Sequence, residues 1–305
     1  MKKKCELYVV IAAVLWGCIA VFHNLLRHEG FSHIQIVTIR VTSAAAVLTV
    51  YLLARAPQML RIRLRDWWCF AGTGIAGLVT FNWCYFVAME MTGRAVAAAL
   101  LYTAPAFVLL LSAVLFKEPL TTRKISALAL ALTGSVLVSG FSGVAHVIQR
   151  AGLLPAVGAG FSYALYSIFG KIALRKGYCA ETISEYTFLF AAACAVPLSR
   201  IWSISPPPNM LTTGIGALGV GVICCVFPFL LYTKGLAGTD AGKAAVLAMA
   251  EPAVATLLGC VLYREVLGAG TAVGIGLIFC SLLTLTCPEK RRRGGLPCDR
   301  SGSTK

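Results

Sequence analysis

The amino-acid sequence predicts an all-α membrane protein of ten transmembrane helices, arranged as two inverted five-helix repeats with both termini in the cytoplasm. Three observations predict this fold: ten long apolar segments, an uneven distribution of basic residues, and an internal repeat. The chain is 58% hydrophobic and only 13% charged, well below the roughly 25% charged residues of soluble domains. Such a chain cannot cover its apolar surface in water, so we expect it in a lipid environment.

The apolar segments set the number of predicted spans, because about 20 helical residues cross the hydrocarbon core of a bilayer. Seven segments contain no Lys, Arg, Asp or Glu, and they are Leu7–Leu26, Trp67–Met89, Ala95–Phe116, Ile125–Ala145, Ala151–Gly170, Gly214–Thr233 and Val266–Cys287. Three more contain one charge each (Arg40, Glu185 and Glu251), and they are Ile34–Ala54, Ile183–Ser199 and Ala244–Tyr263. The first segment lacks a small-x-small cleavage site, so we expect it to remain as helix one.

The basic residues lie mainly on one side of the predicted membrane. If the N-terminus is cytoplasmic, 21 of the 27 Lys and Arg residues are cytoplasmic, five lie outside and Arg40 lies within a span. Basic residues concentrate on the cytoplasmic side of membrane proteins, so this distribution predicts that both termini are inside. The net charge of +15 therefore reflects membrane orientation, and we expect no nucleic-acid partner.

A shift of 147 residues aligns the chain with itself without a gap. The aligned pairs include Tyr85 with Tyr232, Pro105 with Pro252 and Glu118 with Glu265. Each copy contains five predicted spans, and this odd number makes the second copy enter the membrane from the opposite side. We therefore divide the chain into a first repeat (1–147), a second repeat (148–288) and a basic cytoplasmic tail (289–305). Carriers often use inverted repeats to open a central site to each side in turn, although duplication also simply builds a stable bundle.

Three motifs carry a family resemblance. They are Leu15-Trp16-Gly17 in helix one, Thr103-Ala104-Pro105 running to Phe116-Lys117-Glu118-Pro119-Leu120, and Ala250-Glu251-Pro252 running to Tyr263-Arg264-Glu265-Val266-Leu267. With these motifs the chain resembles, over nearly its whole length, the drug/metabolite transporter superfamily, specifically the EamA type with two five-helix repeats. The departures from the family pattern are small, such as Val266 where the first repeat has Pro119. The resemblance implies a transporter but no particular substrate, because relatives move amino acids, other metabolites, nucleotide sugars and toxic cations.

Two charged residues within spans are candidate substrate-binding or coupling residues. Glu251 lies near the middle of the ninth span, where an ionised side chain costs roughly 2.5–3.5 kcal/mol. It could couple transport to protons, bind a substrate amine or pair with Arg40; the alternative is a structural residue beside Pro252. Arg40 lies about a third of the way into the second span from the outside, where it could bind a carboxylate or phosphate or extend to the outer headgroups.

Aromatic residues within the spans are further candidates. They are Trp16, Trp83, Tyr85, Tyr102, Tyr163, Tyr166 and Tyr232. We favour Trp16, Tyr85, Tyr163 and Tyr232, because repeat-related positions should converge near the symmetry axis, where rings would suit apolar amino acids or organic cations. Asn82, one turn from Tyr85, adds a hydrogen-bonding group. Ordinary helix packing is the alternative for each of these residues.

Two prolines, Pro105 and Pro252, are predicted hinges, because proline removes a backbone hydrogen bond and loosens a helix. The Gly-rich stretches 72–77 and 214–221 should let helices approach closely.

Three further charged residues are expected to be structural. Glu185 should lie at the membrane interface near the cytoplasmic end of span seven, and Lys171 should anchor the inner end of span six. The alternatives are a functional role for Glu185 and a position on the substrate path for Lys171. Glu118 should pair with Lys117 or cap the next helix.

These features predict a secondary transporter, an exporter of small metabolites such as amino acids, related compounds or organic cations, working by alternating access. The absence of a GxxxxGK[ST] motif disfavours ATP-driven transport by this chain alone. A membrane-embedded enzyme is disfavoured because the four histidines form no HExxH array and no span contains paired carboxylates, and a channel because the charged spans offer no symmetric ring of selectivity residues. A flippase for lipids or lipid-linked sugars shares the fold and stays open as the alternative.

We expect a multi-pass protein of the cell membrane, specifically the cytoplasmic membrane of a bacterium. Its expected partners are a small-molecule substrate, protons and the lipid bilayer, and a homodimer is left open. We expect no cofactor and no metal site. The twelve cysteines lie mostly within spans without CxxC pairs, so we expect them to be reduced.

Overall fold

The computed structural model describes residues 2–140, 150–203, 207–264 and 267–287, which form helices and no β-strand. The prediction of an all-α protein is therefore confirmed for this part of the chain. The helices of the first repeat are α1 (Lys2–Gly17), α2 (Ile19–His28), α3 (His33–Arg55), α4 (Trp67–Ala71), a first π segment (Gly72–Val79), α5 (Thr80–Thr92), α6 (Arg94–Leu101), α7 (Ala104–Phe116) and α8 (Thr122–Val138).

The second repeat follows the same order with one break fewer. Its helices are α9 (Arg150–Arg175), α10 (Ala180–Ser199), α11 (Met210–Leu218), a second π segment (Gly219–Val226), α12 (Phe227–Gly238), α13 (Ala241–Ala248), α14 (Ala250–Tyr263) and α15 (Ala269–Thr286). Short 3₁₀ helices at Pro57–Leu60, Leu64–Asp66 and Ile201–Ser203 lie in the connections.

Nine helical segments of the described chain are long and apolar enough to cross a bilayer. The predicted fifth span corresponds to α8, whose 17 residues end at Val138; residues 141–145 of that span lie outside the described ranges. The predicted tail, 289–305, lies outside them as well. Ten spans and the cytoplasmic placement of both termini stay predictions.

The backbone repeats itself at the same offset of 147 residues as the sequence. The two π segments begin at Gly72 and Gly219 and are each eight residues long. Two other repeat-related residues, Lys117 and Arg264, end α7 and α14 with φ of 56° and 55°. Positive φ is uncommon for residues other than Gly, so this match is a specific sign that the two halves share one backbone path.

The repeats differ in their first helix. The predicted span Leu7–Leu26 is divided at Cys18 into α1 and α2, whereas α9, its counterpart in the second repeat, is continuous. Close packing surrounds the division, because a Cβ atom added to Gly17 would lie 2.7 Å from Val254 on α14. Glycine at this position therefore lets α1 approach α14.

Helix packing divides the molecule into two bundles, each built from both repeats. In the first bundle, α9 packs against α4, the first π segment, α5, α6 and α7, and α10 packs against the same π segment. In the second bundle, α1 packs against α12, α13 and α14, while α2 and α3 pack against α11 and the second π segment.

Two further helix pairs complete the fold, one joining the two bundles and one formed by helices that belong to neither. Helix α3 packs against α10, and α8 packs against α15. A Cβ atom on Gly134 of α8 would lie 2.6 Å from the carbonyl oxygen of Gly274 on α15. The hydroxyl of Ser281 donates to the carbonyl of Ala127 at 2.7 Å. Small and hydroxyl residues thus bring α8 and α15 together, as is usual between helices in lipid.

The bundles meet at the predicted cytoplasmic end. There, α7 of the first bundle packs against α13 of the second, and α9 packs against α12. The repeat-related helices at the opposite end, α6 and α14, show no such packing in the described part of the chain. The contact between α7 and α13 therefore has no counterpart of similar extent between α6 and α14 at the opposite end.

Candidate functional site

Two helices are interrupted at repeat-related positions in the interior. Helices α6 and α7 are separated by Tyr102 and Thr103, and α13 and α14 are separated by Met249. Pro105 and Pro252 lie just after these breaks, in the first turns of α7 and α14, where the missing N–H costs little because first-turn donors have no helical partner. The breaks thus precede the prolines, and the predicted hinge role of both residues stays a prediction.

Glu251 lies in the first turn of α14. Its side chain is half-buried, and its carboxylate is close enough to Arg40, Tyr102 and Tyr163 for electrostatic interaction. In the described chain it forms no ion pair. The exposed N–H groups of a helix N-terminus favour negative charge. Glu251 therefore offers an unpaired acidic group at the broken helix.

Arg40 lies on α3 and is buried, with 9% of its surface exposed. It does not extend to the outer headgroups, which was the alternative to a binding role. Its Nε has no hydrogen-bond partner in the described structure, although the carboxylate of Glu251 lies within electrostatic range. A buried N–H group without a partner is costly, so Arg40 is a candidate for binding an anionic group.

Four aromatic residues form a buried cluster between α1, α9 and α12. The ring of Trp16 lies 5.4 Å from both Phe229 and Tyr232, and Tyr166 lies 5.0 Å from Phe229. Hydrogen bonds cross from α9 to α12 here, between Ser167 and Tyr232 at 2.7 Å and between Tyr166 and Thr233 at 2.9 Å. These rings close the interior on the side of the predicted cytoplasmic end.

A second aromatic group lies between α5 and α9, the helices that the repeat relates to α12 and α1. Phe81 stacks with Tyr85 at 6.0 Å and meets Tyr163 edge to face at 5.6 Å. Tyr85 and Tyr163 are half-buried, unlike Trp16 and Tyr232, their counterparts in the other repeat. The four aromatic residues favoured from the sequence thus form two repeat-related pairs, one buried and one partly exposed.

Asn82 is buried, and its side-chain nitrogen donates to the carbonyl of Leu78, four residues earlier, at 2.7 Å. It satisfies a backbone carbonyl of the first π segment, so its role as a substrate contact stays a prediction.

Sequence reasoning gave Tyr102 no special weight, although it lies at the first helix break near Glu251. Its position directly before Thr103-Ala104-Pro105 is the signal that could have identified it.

The bundles are joined at the predicted cytoplasmic end by charged side chains, which we call the inner clasp: Glu118, Lys171, Lys234 and Glu181. Glu118 accepts hydrogen bonds from the first-turn N–H groups of α13, at 3.1 Å from Ala241 and 3.4 Å from Gly242. Lys171 donates to the carbonyls of Leu236 and Thr239 at 2.6 Å each, and Lys234 pairs with Glu181 at 2.7 Å. Glu118 therefore caps a helix of the opposite bundle rather than the next helix in the chain.

A cavity of about 440 Å³ opens beside the inner clasp. Lys171, Lys234 and Glu181 line it together with Arg175 and Tyr178. It lies at the ends of α9 and α10 and is separate from the aromatic residues around Glu251. No group of His, Cys, Asp and Glu side chains in the described residues is arranged to hold a metal ion.

A helical membrane protein with interrupted helices and unpaired charges in its interior has the architecture of a membrane transport protein. The sequence model of the EamA-like transporter family matches residues 3–140 and 150–287, and the chain belongs to this family. The resemblance seen in the three motifs is thereby confirmed, with one family unit in each repeat.

Relatives and a solved structure agree with this assignment. The uncharacterized transporter YwfM of Bacillus subtilis is 29% identical over 94% of this chain and 95% of its own. The aromatic amino acid exporter YddG of Ancylobacter novellus is 25% identical over 72% of this chain and 75% of its own. A crystal structure with 23% identity has a TM-score of 0.76 over 92% of this chain and 95% of that one, which shows a shared fold.

Proposed function

We propose that this transporter is a secondary carrier that exports amino acids or chemically related amines across the cytoplasmic membrane of a bacterium, without converting them chemically. One observation carries the proposal: Arg40 and Glu251, two interior side chains of opposite charge, lie within electrostatic range but form no ion pair with each other in the described structure. A zwitterionic solute would supply both partners, a carboxylate for Arg40 and an ammonium for Glu251.

The aromatic residues suit the rest of such a solute. Tyr102 and Tyr163 lie near Glu251, and Tyr85 meets Tyr163 through Phe81. Ring faces hold apolar side chains by dispersion and ammonium groups by cation–π attraction. One relative of this chain is named an aromatic amino acid exporter, which supports the same substrate class here.

Alternating access provides the mechanism. In this conformation the bundles are joined at the predicted cytoplasmic end by the inner clasp, and the half-buried residues Tyr85, Tyr163 and Glu251 lie beyond the buried ring of Tyr232. We infer that this is an outward-open state. The inward-open state would exchange the packing of α7 on α13 for that of α6 on α14, as the inverted repeat allows.

Protons are the proposed coupling ions, with Glu251 as the residue that binds either a proton or the substrate amine. A lipid or lipid-linked sugar flippase remains the second candidate, because it would use the same fold and the same interior charges. The aromatic lining favours a small solute over a long acyl chain. A homodimer is compatible with this mechanism and is not required by it.

Uptake into proteoliposomes tests the proposal. Pools of labelled amino acids, nucleosides and organic cations are compared with and without a pH gradient, for the unmodified chain, Arg40→Gln, Glu251→Gln and the control Glu90→Gln, whose side chain is exposed. Loss of a charge-assisted hydrogen bond costs about 1.5–3 kcal/mol. We therefore expect amino-acid uptake to fall by roughly 10- to 150-fold in the first two variants and to persist in the control.

Two results would contradict the proposal. Unchanged amino-acid transport in Arg40→Gln and Glu251→Gln would show that neither charge binds substrate. Absence of uptake for every water-soluble pool, together with movement of a labelled lipid-linked sugar, would establish the flippase instead.

A further inference from the structure

Glu185 is buried in the interface between α3 and α10. None of its surface is exposed, although its sequence position near the end of a span suggested the membrane interface. The Thr49 hydroxyl of α3 donates to Glu185 Oε1, while Oε2 has no partner in the described structure. Leu48, Leu52 and Phe188 on the same two helices belong to the apolar core. The carboxyl group is therefore enclosed in apolar surroundings with one hydrogen bond.

The same two helices cross again near the opposite end with a different residue. The position related to Glu185 by the 147-residue repeat is Thr38, which is equally buried. Its hydroxyl lies 3.2 Å from the carbonyl of Ala195 on α10 and also bonds within its own helix. The threonine at the related position shows that a hydroxyl group is sufficient for two helices to pack in this way. Packing alone therefore does not explain the carboxyl group of Glu185.

No cation compensates for a charge on Glu185. The titratable groups on α10 and on the elements packed against it toward this end are Glu181 and Tyr186 on α10 itself, Tyr166, Lys171 and Arg175 on α9, Tyr232 and Lys234 on α12, Cys69 on α4, and Tyr51 and Arg55 on α3. Lys171 and Lys234 are held by the inner clasp, and Tyr186 donates to the Leu60 carbonyl at 2.7 Å. Within the described ranges, none of them pairs with Glu185. An ionised carboxylate buried in this way is strongly disfavoured relative to the neutral acid.

We propose that Glu185 is a proton-binding site, occupied while α3 and α10 are packed together and emptied to the cytoplasm when the predicted cytoplasmic end opens. Helix α10 belongs to the first bundle and α3 to the second, so separation of the bundles at this end would bring water to the carboxyl group. The inference rests on the proposed function only in taking this end as a gate that opens. It assigns to Glu185 a proton that is separate from any proton or amine bound at Glu251.

Linkage gives the direction of the pH effect. The closed state binds the proton and the open state, with water around the carboxyl group, releases it near neutral pH. Acid therefore favours the closed state, and rising pH favours opening. For a single proton the ratio of open to closed molecules rises by up to about tenfold per pH unit.

Hydrogen–deuterium exchange of residues 236–249 measures opening of this end, because they form the α12–α13 surface on which the inner clasp closes. The full chain in lipid nanodiscs, without substrate, is compared between about pH 6 and pH 8 after correction for the intrinsic pH dependence of exchange. We expect faster exchange at the higher pH in the unmodified chain. Glu185→Gln, which mimics the neutral acid, should remain protected at both values.

Two matched variants complete the test. Glu185→Thr installs the residue of the opposite crossing and should also lose the pH dependence, which keeps the test open if Glu185→Gln does not fold. Glu181→Gln, one turn away, should retain it. Equal pH dependence in the unmodified chain and Glu185→Gln, or none in the unmodified chain, would overturn the proposal. Because no substrate is used, this outcome is independent of the uptake experiment on Arg40 and Glu251.

Discussion

The two ends of the molecule are related by the internal repeat, but they hold the bundles in different ways. At the predicted cytoplasmic end, Lys171 and Lys234 reach from one bundle to the other. The repeat-related residues at the opposite end are Asn24 and Val87, and Ile34 takes the place of Glu181. The two repeats share one backbone path, but repeat-related positions have charged contacts at one end and largely uncharged residues at the other.

The interior hydrogen bonds show the same difference. The bonds Tyr166–Thr233 and Ser167–Tyr232 join α9 to α12. Their counterparts, given in the same order, are Ile19 with Phe86 and Ala20 with Tyr85. None of these four counterparts except Tyr85 carries a polar side-chain group. A repeated backbone with unequal side chains favours one of its two related conformations, and the preference equals the summed free energy of the unequal contacts.

The largest expected effect follows from Lys171→Asn, which places the residue of the opposite end in the inner clasp. The ammonium group donates to two backbone carbonyls, and charge-assisted hydrogen bonds contribute about 1.5–3 kcal/mol. Since water can solvate the freed carbonyls, we expect the closed state to lose about 2 kcal/mol, a roughly 30-fold rise in the ratio of open to closed molecules. Hydrogen–deuterium exchange of residues 236–249 measures this ratio.

The control for Lys171→Asn is Lys176→Asn. Lys176 pairs with Asp66 inside the first bundle, so its loss should leave exchange of residues 236–249 unchanged. Similar exchange in both variants would mean that Lys171 does not hold the bundles together.

A smaller effect is expected for Glu118→Gln. The carboxylate caps the first turn of α13 from the opposite bundle, and a capping contact with the helix dipole contributes about 1 kcal/mol. The ratio of open to closed molecules should rise roughly fivefold, measured by the same exchange. Glu90→Gln removes an exposed carboxylate far from the clasp and should have no effect. If Glu118→Gln opened the molecule no more than Glu90→Gln, the cap would not contribute to closure.

Most of the fold could be predicted from the sequence because it depends on composition and on the repeat. The aligned prolines, Pro105 and Pro252, indicated the repeat-related helix interruptions, and the Gly-rich stretches indicated close packing. The structure confirms that packing at Gly77, where an added Cβ atom would lie 3.0 Å from Tyr166. The two π segments that contain parts of these stretches could not be predicted, because a π-helix differs from an α-helix in hydrogen bonding and not in residue type.

The candidate site was harder to predict because burial depends on residues distant in sequence. Arg40 and Glu185 both looked able to reach the membrane surface, since each lies within two turns of a predicted span end, but both are buried by neighbouring helices. The partners of Glu118 and Lys171 lie in the opposite bundle. Their roles depend on how the bundles close, which no local pattern specifies.

The smallest effect is expected for Glu181→Gln, and it provides the sharpest test of how closure is distributed. Lys234 and Glu181 lie 2.7 Å apart with 45% and 19% of their side chains exposed, and exposed ion pairs contribute only about 0.5 kcal/mol. We expect a roughly twofold rise in the ratio of open to closed molecules, reduced further when salt screens the pair in the unmodified chain. Exchange of residues 236–249 at low and high salt checks both points. If Glu181→Gln changed the ratio of open to closed molecules as much as Lys171→Asn, the exposed ion pair would be the main contact that holds this end closed. The difference between the two ends would then depend on surface charge, and high salt would abolish it.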